Sequence, residues 1–167
     1  MPSRRVYQDT PLVLHQTILL NSFVSHYLQR VMRVQLGDCV TVFNGQGGEY
    51  LASVIAIKKN EVEVELTKFV ACQVESSLQL ELGQALLRGD KMDWVIQKAV
   101  ELGISAITPI LSERINIKLN HDRLKKRMEH WQGVIVSACE QSGRCVLPKI
   151  NSPVSLDDWL HASKTPC

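Results

Sequence analysis

The sequence predicts a small all-β module followed by an α/β unit within 167 residues. Two observations carry this prediction. In roughly the first seventy residues, short apolar segments alternate with tight polar turns, which is typical of a small barrel or sandwich. From residue 78 onward a strand, a helix and a second strand follow one another within about thirty residues, which predicts a βαβ unit.

Three strands are predicted in the β-module. The first covers residues 38–43 and the second residues 49–57, and the glycine-rich segment 44–48 between them has the chemistry of a tight turn. The third strand, residues 61–66, alternates strictly between acidic and apolar residues. Because successive side chains of a strand point to opposite faces, one face of this strand is expected to pack and the other to face water.

One helix is predicted before these strands, over residues 25–33. Its apolar side chains recur at helical spacing and are expected to face inward, while two arginines face outward on one side of the helix. The inward residues are Tyr27, Leu28, Val31 and Met32, and the outward ones are Arg30 and Arg33.

The boundary between the two parts is predicted in the polar segment 71–77, which has no apolar periodicity. The predicted domains are residues 1–72 and residues 73–167. In the second domain, a strand over residues 78–87 leads into a helix with Asp90 as its N-cap and Gly103 at its end, and a strand over residues 104–110 follows. The two strands are expected to be parallel, with a right-handed crossover.

A longer helix is predicted next, capped by Asn120 and ended by Gly143. A strand over residues 146–150 follows, and residues 155–158, Ser-Leu-Asp-Asp, have the spacing of a capping box for a short final helix. The last edge of such a small sheet is expected to be uncovered.

The composition excludes several classes of protein. Five cysteines without a Cys-x-x-Cys pair make a disulfide framework or a zinc site unexpected, and no metal site is predicted. Free thiols suit a reducing cytoplasm, which is the predicted location. No apolar segment is long enough to cross a bilayer and no signal peptide is predicted, so no membrane partner is expected.

Charge is unevenly distributed although the net charge is only +2. Cations are concentrated in residues 123–127 and around Arg30 and Arg33. Basic patches of this kind suit a phosphate backbone, and the alternative for each of them is a solvated helix face.

Three stretches of the chain carry a resemblance to a known family. The first is residues 26–33, His-Tyr-Leu-Gln-Arg-Val-Met-Arg, followed by Gly37-Asp38. The second runs from Lys91-Met92-Asp93 through residues 97–103, Gln-Lys-Ala-Val-Glu-Leu-Gly, to Pro109 and Ser112-Glu113-Arg114. The third is Trp131-Gln132, residues 138–144, Ala-Cys-Glu-Gln-Ser-Gly-Arg, and Pro148. Together they resemble the bacterial 16S ribosomal RNA (uracil-N3)-methyltransferases of the SPOUT class.

The resemblance implies a fold, a reaction and partners. It implies an N-terminal PUA-like β-barrel that holds RNA and an α/β SPOUT-type domain that binds S-adenosylmethionine in a trefoil knot. It also implies a homodimer that methylates N3 of a uridine in 16S ribosomal RNA of the small subunit. The glycine-rich loop and the later arginine-containing stretch that form the family's knot and donor pocket do not occur in these residues. We therefore expect the knot and the cofactor-binding residues beyond Cys167, an inactive isolated chain and a doubtful dimer.

Eight residues are candidates for RNA contact. Arg30 and Arg33 come first because an arginine can bind a phosphate with two hydrogen bonds, and the alternative is a surface role or an ion pair with an acid such as Asp38. Arg4 and Arg5 are further candidates, although terminal arginines are often merely solvated. The remaining four are Lys91, Arg114, Gln141 and Arg144.

Lys91 and Arg114 are expected near the carboxyl edge of the sheet, where α/β proteins bind ligands, whereas Gln141 and Arg144 are expected at the end of the long helix. Gln141 would hydrogen-bond the base, whereas Arg144 has the alternative role of a favourable cation at a helix C-terminus. Lys98 and Glu101, three residues apart, are expected to pair with each other. Trp94 and Trp131 are expected to be packing residues rather than base-stacking ones. Trp131 lies on the apolar stripe, whereas Trp94 lies off it and has exposure as its alternative.

The general base is not assigned by the sequence. Besides the methyltransferase, two other functions stay open: an RNA-binding module without chemistry, and a structural α/β protein without an RNA role.

Overall fold

The computed structural model describes residues 4–71, 74–112 and 121–162, without the side chain of His121. The chain divides into two compact units. The N-terminal unit comprises Met1–Glu75 together with Gly143–Val146, and the second unit comprises Ser76–Ser142 with Leu147–Cys167. A short segment from late in the chain is therefore part of the N-terminal unit, which no sequence pattern indicated.

The N-terminal unit is built on one five-stranded sheet. The strands are β1 (Arg5–Tyr7), β2 (Thr17–Leu19), β3 (Cys39–Phe43), β4 (Glu49–Lys58) and β5 (Glu61–Val70), and helix α1 (Ser22–Arg30) lies between β2 and β3 in the chain. Their order in the sheet is β1-β3-β4-β5-β2, in which β1 pairs parallel with β3 and the other neighbours pair antiparallel.

The alternation predicted for β5 is confirmed and explains how the core forms. Val62, Val64 and Leu66 are fully buried, whereas the glutamates between them are on the other face. Valines of β3 and β4 bury their side chains in the same cluster, and α1 adds Val24 and Leu28. The core of this unit therefore lies between α1 and one face of the sheet.

Helix α1 is displaced from its predicted position. It begins at Ser22, capped by Asn21 whose side chain accepts a hydrogen bond from the Val24 N–H, and it ends at Arg30. Arg33 has φ 51° and lies outside the helix, so the prediction that Arg30 and Arg33 share one helical face is wrong. Val31 is 63% exposed rather than buried, because the helix ends before this residue would turn inward.

The second unit contains a parallel sheet. The elements are β6 (Glu81–Ala85), α2 (Asp90–Glu101), β7 (Ala106–Leu111), α3 (His121–Ser142), β8 (Lys149–Ile150), β9 (Val154–Ser155) and α4 (Leu156–Ala162). Strands β6 and β7 are parallel neighbours, β8 continues the sheet beyond β7, and β9 also pairs parallel with β7. The predicted order of strand, helix and parallel strand is confirmed, although β6 and β8 are shorter than predicted.

Helices α2 and α3 bury apolar stripes at helical spacing. Met92, Ile96 and Val100 are buried on α2, and Trp131 and Ile135 on α3. This burial explains why the two helices form where the periodicity predicted them.

The ends of these elements partly confirm the predicted caps. Gly103 has φ 90°, as a left-handed helix end requires. Ser155 is bonded to Asp158 at the predicted cap: its oxygen accepts from the Asp158 N–H at 3.0 Å, and its hydroxyl donates to the Asp158 carboxylate at 2.6 Å. The N-cap of α2 is Gly89, so the assignment of Asp90 was wrong by one residue. The predicted cap Asn120 lies outside the described residues.

The cysteines differ from the expectation at one position. Cys39 and Cys139 are free thiols, as expected. Cys145 is disulfide-bonded in this structure, so the expectation of free thiols was wrong for this residue.

Candidate functional site

A cavity of about 530 Å³ lies at the carboxyl ends of the parallel strands of the second unit. Its lining includes Ala85 from the end of β6, Leu111 from the end of β7 and Ser155 from β9. Ligand pockets generally have volumes of about 300–1,000 Å³, and parallel sheets place them at this edge. The remaining lining residues are Gly83, Ile110, Ser112, Leu156 and Asp157.

A tight contact between β6 and α4 holds one wall of this cavity. A Cβ atom at Gly83 would lie 2.7 Å from the ring of Trp159, so the indole rests directly on the backbone of the strand. The indole N–H also donates to the Glu81 side chain at 3.4 Å. Because α4 begins immediately after β9, this contact also places Ser155 and Asp157 at the cavity.

The polar groups of this lining are few. Ser112 and Ser155 contribute hydroxyl groups, and Asp157 contributes the carboxylate. The Ser155 oxygen is already bonded to Asp158, which leaves Ser112 and Asp157 as the side chains best able to orient a ligand. The cavity lining lacks cationic side chains among the described residues, so it is better suited to a ligand with positive charge than to a phosphate group.

A second, smaller cavity of about 200 Å³ lies where α2 begins. Both Asp93 of α2 and His130 of α3 line it and are hydrogen-bonded to each other at 2.7 Å, and Arg127 also lines it. Lys91 is exposed one residue after the start of α2. Lys98 and Glu101 pair at 2.7 Å, as predicted.

Arg5 is buried rather than solvated. Its exposed fraction is 7%, its Nε donates to Glu49 at 2.8 Å, and its guanidinium lies 3.8 Å from the centre of the Phe43 ring. Its Nη2 donates to the Arg144 carbonyl at 2.8 Å. These contacts stabilise the N-terminal unit and leave little of the Arg5 guanidinium accessible.

Arg144 is also buried, with an exposed fraction of 7%. Its guanidinium donates to Glu75 from Nε at 3.0 Å and from Nη2 at 2.6 Å. The backbone N–H groups of Cys145 and Val146 donate to the other Glu75 oxygen at 3.0 Å each. Partial burial alone would raise the pKa of Glu75, but these hydrogen bonds and the charge of Arg144 lower it below its ordinary value.

Arg4 is half-buried and pairs with Asp38 at 2.5 Å. Asp38 was the predicted alternative partner of Arg30 and Arg33, so the structure assigns it to a different arginine. Arg30 and Arg33 are exposed, and no ion pair is recorded for either within the part of the chain that the structure describes. The structure thus brings Arg5 and Arg144 together and leaves the pair from the first motif open to solvent.

The remaining candidates have different environments. Gln141 is exposed near the end of α3, and Arg114 lies outside the described residues. Trp131 is 3% exposed, which confirms its packing role, whereas Trp94 is 61% exposed, which is the alternative that its position off the apolar stripe left open.

The sequence did not reveal which acids pair with the two buried arginines. Glu49 is 44 residues from Arg5, and Glu75 is 69 residues from Arg144. No periodic or local pattern connects residues so far apart, so only an observed contact could have identified these pairs.

Metal-ligand groups and membrane-spanning helices are both absent from the described residues. No group of three or more potential metal ligands occurs within the ranges that the structure describes. No helix in those same ranges is long and apolar enough to span a bilayer.

Comparison with known proteins gives two family matches. A model described as an RNA methyltransferase domain matches residues 74–166, and a model described as an RNA methyltransferase PUA domain matches residues 24–67. The first of these alone covers more than half of the chain.

Curated relatives agree with these matches. Proteins called ribosomal RNA small subunit methyltransferase E in two strains of Buchnera aphidicola are 30% and 32% identical to this chain over 155 residues, which is 93% of it. The chain spans only 61% and 63% of the length of these relatives.

Solved structures give the same result. A Legionella pneumophila methyltransferase determined with bound S-adenosylmethionine is 34% identical with a TM-score of 0.93, and the match covers 98% of this chain and 68% of that one. A ribosomal RNA small subunit methyltransferase E of Neisseria gonorrhoeae, bound to S-adenosyl methionine, is 35% identical with a TM-score of 0.90, over 98% of this chain and 66% of that one.

Proposed function

The chain belongs to the RNA methyltransferase family, and from this we propose that the complete protein methylates small-subunit ribosomal RNA with S-adenosylmethionine as the methyl donor. We propose N3 of a uracil as the target atom, which the resemblance of the three sequence stretches supports. The observation that carries the proposal is the match of two RNA methyltransferase models, one to each part of the chain.

The cavity at the strand ends supports a reaction site in the second unit. It lies inside the segment 74–166 that matches the methyltransferase model, and its volume of about 530 Å³ is in the range of cofactor pockets. The donor carries a positively charged sulfur and amino group, for which a lining with the Asp157 carboxylate and no cation among its described residues is suited. The residues present thus fit part of such a donor. The prediction that the family's own cofactor-binding residues lie beyond Cys167 stays a prediction.

The chemistry requires positioning more than covalent help. When bound, S-adenosylmethionine supplies a methyl group on a good leaving group. A new N–C bond then forms at N3, the C–S bond breaks, and the N3 proton passes to a base. The residues of this chain orient the uracil and exclude water, since in-line alignment of N3 with the methyl group is the main requirement. A target base must also leave its stack before N3 can be reached.

We propose that Arg4, Arg30, Arg33, Lys91 and Gln141 contact RNA, because all five are at least partly exposed. Arg114 stays a candidate on the resemblance alone. Arg5 and Arg144 are proposed to support the RNA-binding surface from beneath, since their guanidinium groups are buried against Glu49 and Glu75.

The finer features of the family are part of the same proposal. They are a closed PUA-like barrel formed from the five-stranded sheet, a C-terminal trefoil knot in the complete protein, a homodimer and a cytoplasmic location. The family membership of both parts supports them.

Methyl transfer to ribosomal subunits tests the proposal. We suggest a chimaera of residues 1–167 with the part of the Neisseria gonorrhoeae protein that this chain does not match, incubated with tritiated donor and unmodified small subunits. Tritium in the RNA, recovered as 3-methyluridine after digestion, is expected. The matched chimaera with Arg30→Gln and Arg33→Gln should show a raised KM for the subunit and a similar kcat.

Two outcomes would contradict the proposal. Transfer of label to another nucleoside would overturn the N3 assignment alone. RNA binding without transfer would favour the RNA-binding module that the charge distribution also allows. A calorimetric titration of the 167-residue chain with the donor, expected to release no heat, checks the prediction about the donor pocket.

A further inference from the structure

The outward face of helix α1 has an unusual composition. Phe23 is 83% exposed, which makes it the most exposed of the large hydrophobic side chains in the described residues. His26 and Arg30, three and seven positions further along, are also exposed. Residues at these spacings lie on one face of a helix, so an aromatic ring, an imidazole and a guanidinium form a single row along about 10 Å of the helix.

The charge around this face is entirely positive in the local sequence. Positions 10–37 contain no aspartate or glutamate, but include Arg30, Arg33 and two histidines. Asp38, the next acid along the chain, is bound to Arg4 and to the Gln35 N–H. The charged side chains of this segment are therefore complementary to a polyanion. The neighbouring strand β5 contributes Glu61, whose carbonyl contacts Gln29, and Glu63, whose charge is paired with Lys58.

The helix is held firmly beneath this face. Asn21 caps its first turn, and Val24, Ser25 and Leu28 are buried on the opposite side. Near its end, the Gln29 amide donates to the carbonyls of Lys58 and Glu61 at 2.9 Å each. Phe23 and Arg30 are thus presented from a rigid helix, so that little conformational entropy is lost when a ligand binds them.

We propose that this face binds unpaired RNA, with one base stacked on the Phe23 ring and phosphates on Arg30 and Arg33. The inference rests on the proposed function and names the form of RNA that the N-terminal unit takes. An exposed aromatic ring beside cations is the combination that binds single strands, since every base has a face for stacking and phosphates carry the charge. A paired helix keeps its bases stacked inside and offers nothing to Phe23.

Fluorescence anisotropy with the 167-residue chain and a labelled 12-nucleotide oligouridylate tests the proposal. Phe23→Ala is expected to weaken binding about tenfold, since stacking on an aromatic side chain contributes about 1–3 kcal/mol per base. Phe23→Trp, which keeps a ring, should bind within about twofold of the parent chain. The matched control is Leu102→Ala, which truncates a side chain that is 82% exposed just after the end of α2 and should leave affinity unchanged.

The salt dependence separates the two kinds of contact. Arg30→Gln should reduce the slope of log K against log salt by about 0.7, the value for one phosphate contact on a single strand. Phe23→Ala should leave this slope unchanged because no counterion is released at a stacked base. Circular dichroism of each variant is expected to match the parent, since both side chains are exposed.

Three results would overturn the proposal. The first is a Phe23→Ala chain that binds the oligouridylate as the Leu102→Ala control does. The second is an equal loss on a duplex of the same length. The third is binding to phosphatidylglycerol vesicles that depends on Phe23 while RNA binding does not. None of these three results predicts the outcome of the methyl-transfer assay, so failure of this inference is distinguishable from failure of the proposed function.

Discussion

The Glu75 carboxylate accepts two hydrogen bonds from the Arg144 guanidinium, at 3.0 and 2.6 Å. Its second oxygen accepts from the next two backbone N–H groups, those of Cys145 and Val146. All four bonds go to the short segment Gly143–Val146, which joins the N-terminal unit from the far end of α3. Glu75 therefore helps to fasten a late part of the chain, which also contains the disulfide-bonded Cys145, to the β-unit, and Arg5 reinforces the contact through the Arg144 carbonyl.

Replacement of this acid should destabilise the protein. We expect Glu75→Gln to lower the free energy of unfolding by about 2–3 kcal/mol, since it leaves a buried guanidinium without its counter-charge. Urea unfolding measures the loss. Glu63→Gln, which removes the exposed partner of Lys58, is the matched control and should cost less than about 1 kcal/mol. Equal losses for the two variants would contradict the assigned role of Glu75.

Low pH should remove the stabilisation that Glu75 provides. The folded-state pKa of Glu75 lies below its ordinary value of 4.5, because the bonds from Arg144 and the backbone outweigh the effect of burial. A carboxyl with a lowered folded-state pKa stabilises the fold above the unfolded-state pKa and loses this contribution as pH falls through the folded-state value.

The measurement is the difference in unfolding free energy between the parent and Glu75→Gln at several pH values. It should be constant near neutral pH and shrink below about pH 4.5. Other carboxyl groups titrate in both proteins and largely cancel. A difference that grows in acid would refute the sign of the shift.

Two glycine substitutions should change the stability of the protein in opposite directions. Gly83→Ala would place a Cβ 2.7 Å from the rigid Trp159 ring, so α4 must shift and stability should fall by about 1–3 kcal/mol. Gly133 has open space around its Cβ position and lies inside α3, so Gly133→Ala should stabilise the protein by about 0.5–1 kcal/mol. Thermal unfolding measures both, and tryptophan emission should shift for Gly83→Ala alone.

The cap of α1 should contribute to stability and to RNA binding together. Asn21→Ala removes the acceptor of the Val24 N–H, bonded at 2.9 Å, and should cost about 1 kcal/mol. Because Phe23 lies in the same first turn, affinity for single-stranded RNA should fall as well. Asn21→Asp retains the acceptor and serves as the stability control. Unchanged thermal unfolding of Asn21→Ala would show that the cap does not hold the helix.

Periodicity predicted the elements well where one pattern extended over many residues. The alternation in β5 and the helical stripes of α2 and α3 each identified the buried face, because burial of that face is what stabilises the element. The helix near residue 30 was predicted three residues too late because its first turn begins with the exposed Phe23 and its cap was not recognised.

The candidate residues show the limit of local patterns. Exposure of Arg30 and Arg33 was predicted and is observed, although the second residue lies beyond the helix. Burial of Arg5 and Arg144 was not predicted, since the acids that compensate their charges come from distant parts of the chain. The sequence shows which residues carry a charge, whereas the groups that surround each charged side chain depend on the fold.

The sequence by itself determined the β-module, the parallel βαβ unit and the family, because local periodicity and short motifs need only neighbouring residues to be recognised. Tertiary structure alone decided that Gly143–Val146 belongs to the N-terminal unit and that Glu75 binds Arg144. It also decided that Trp159 rests on Gly83. These contacts join residues far apart in the chain, and their free energy arises only when folding excludes water between them.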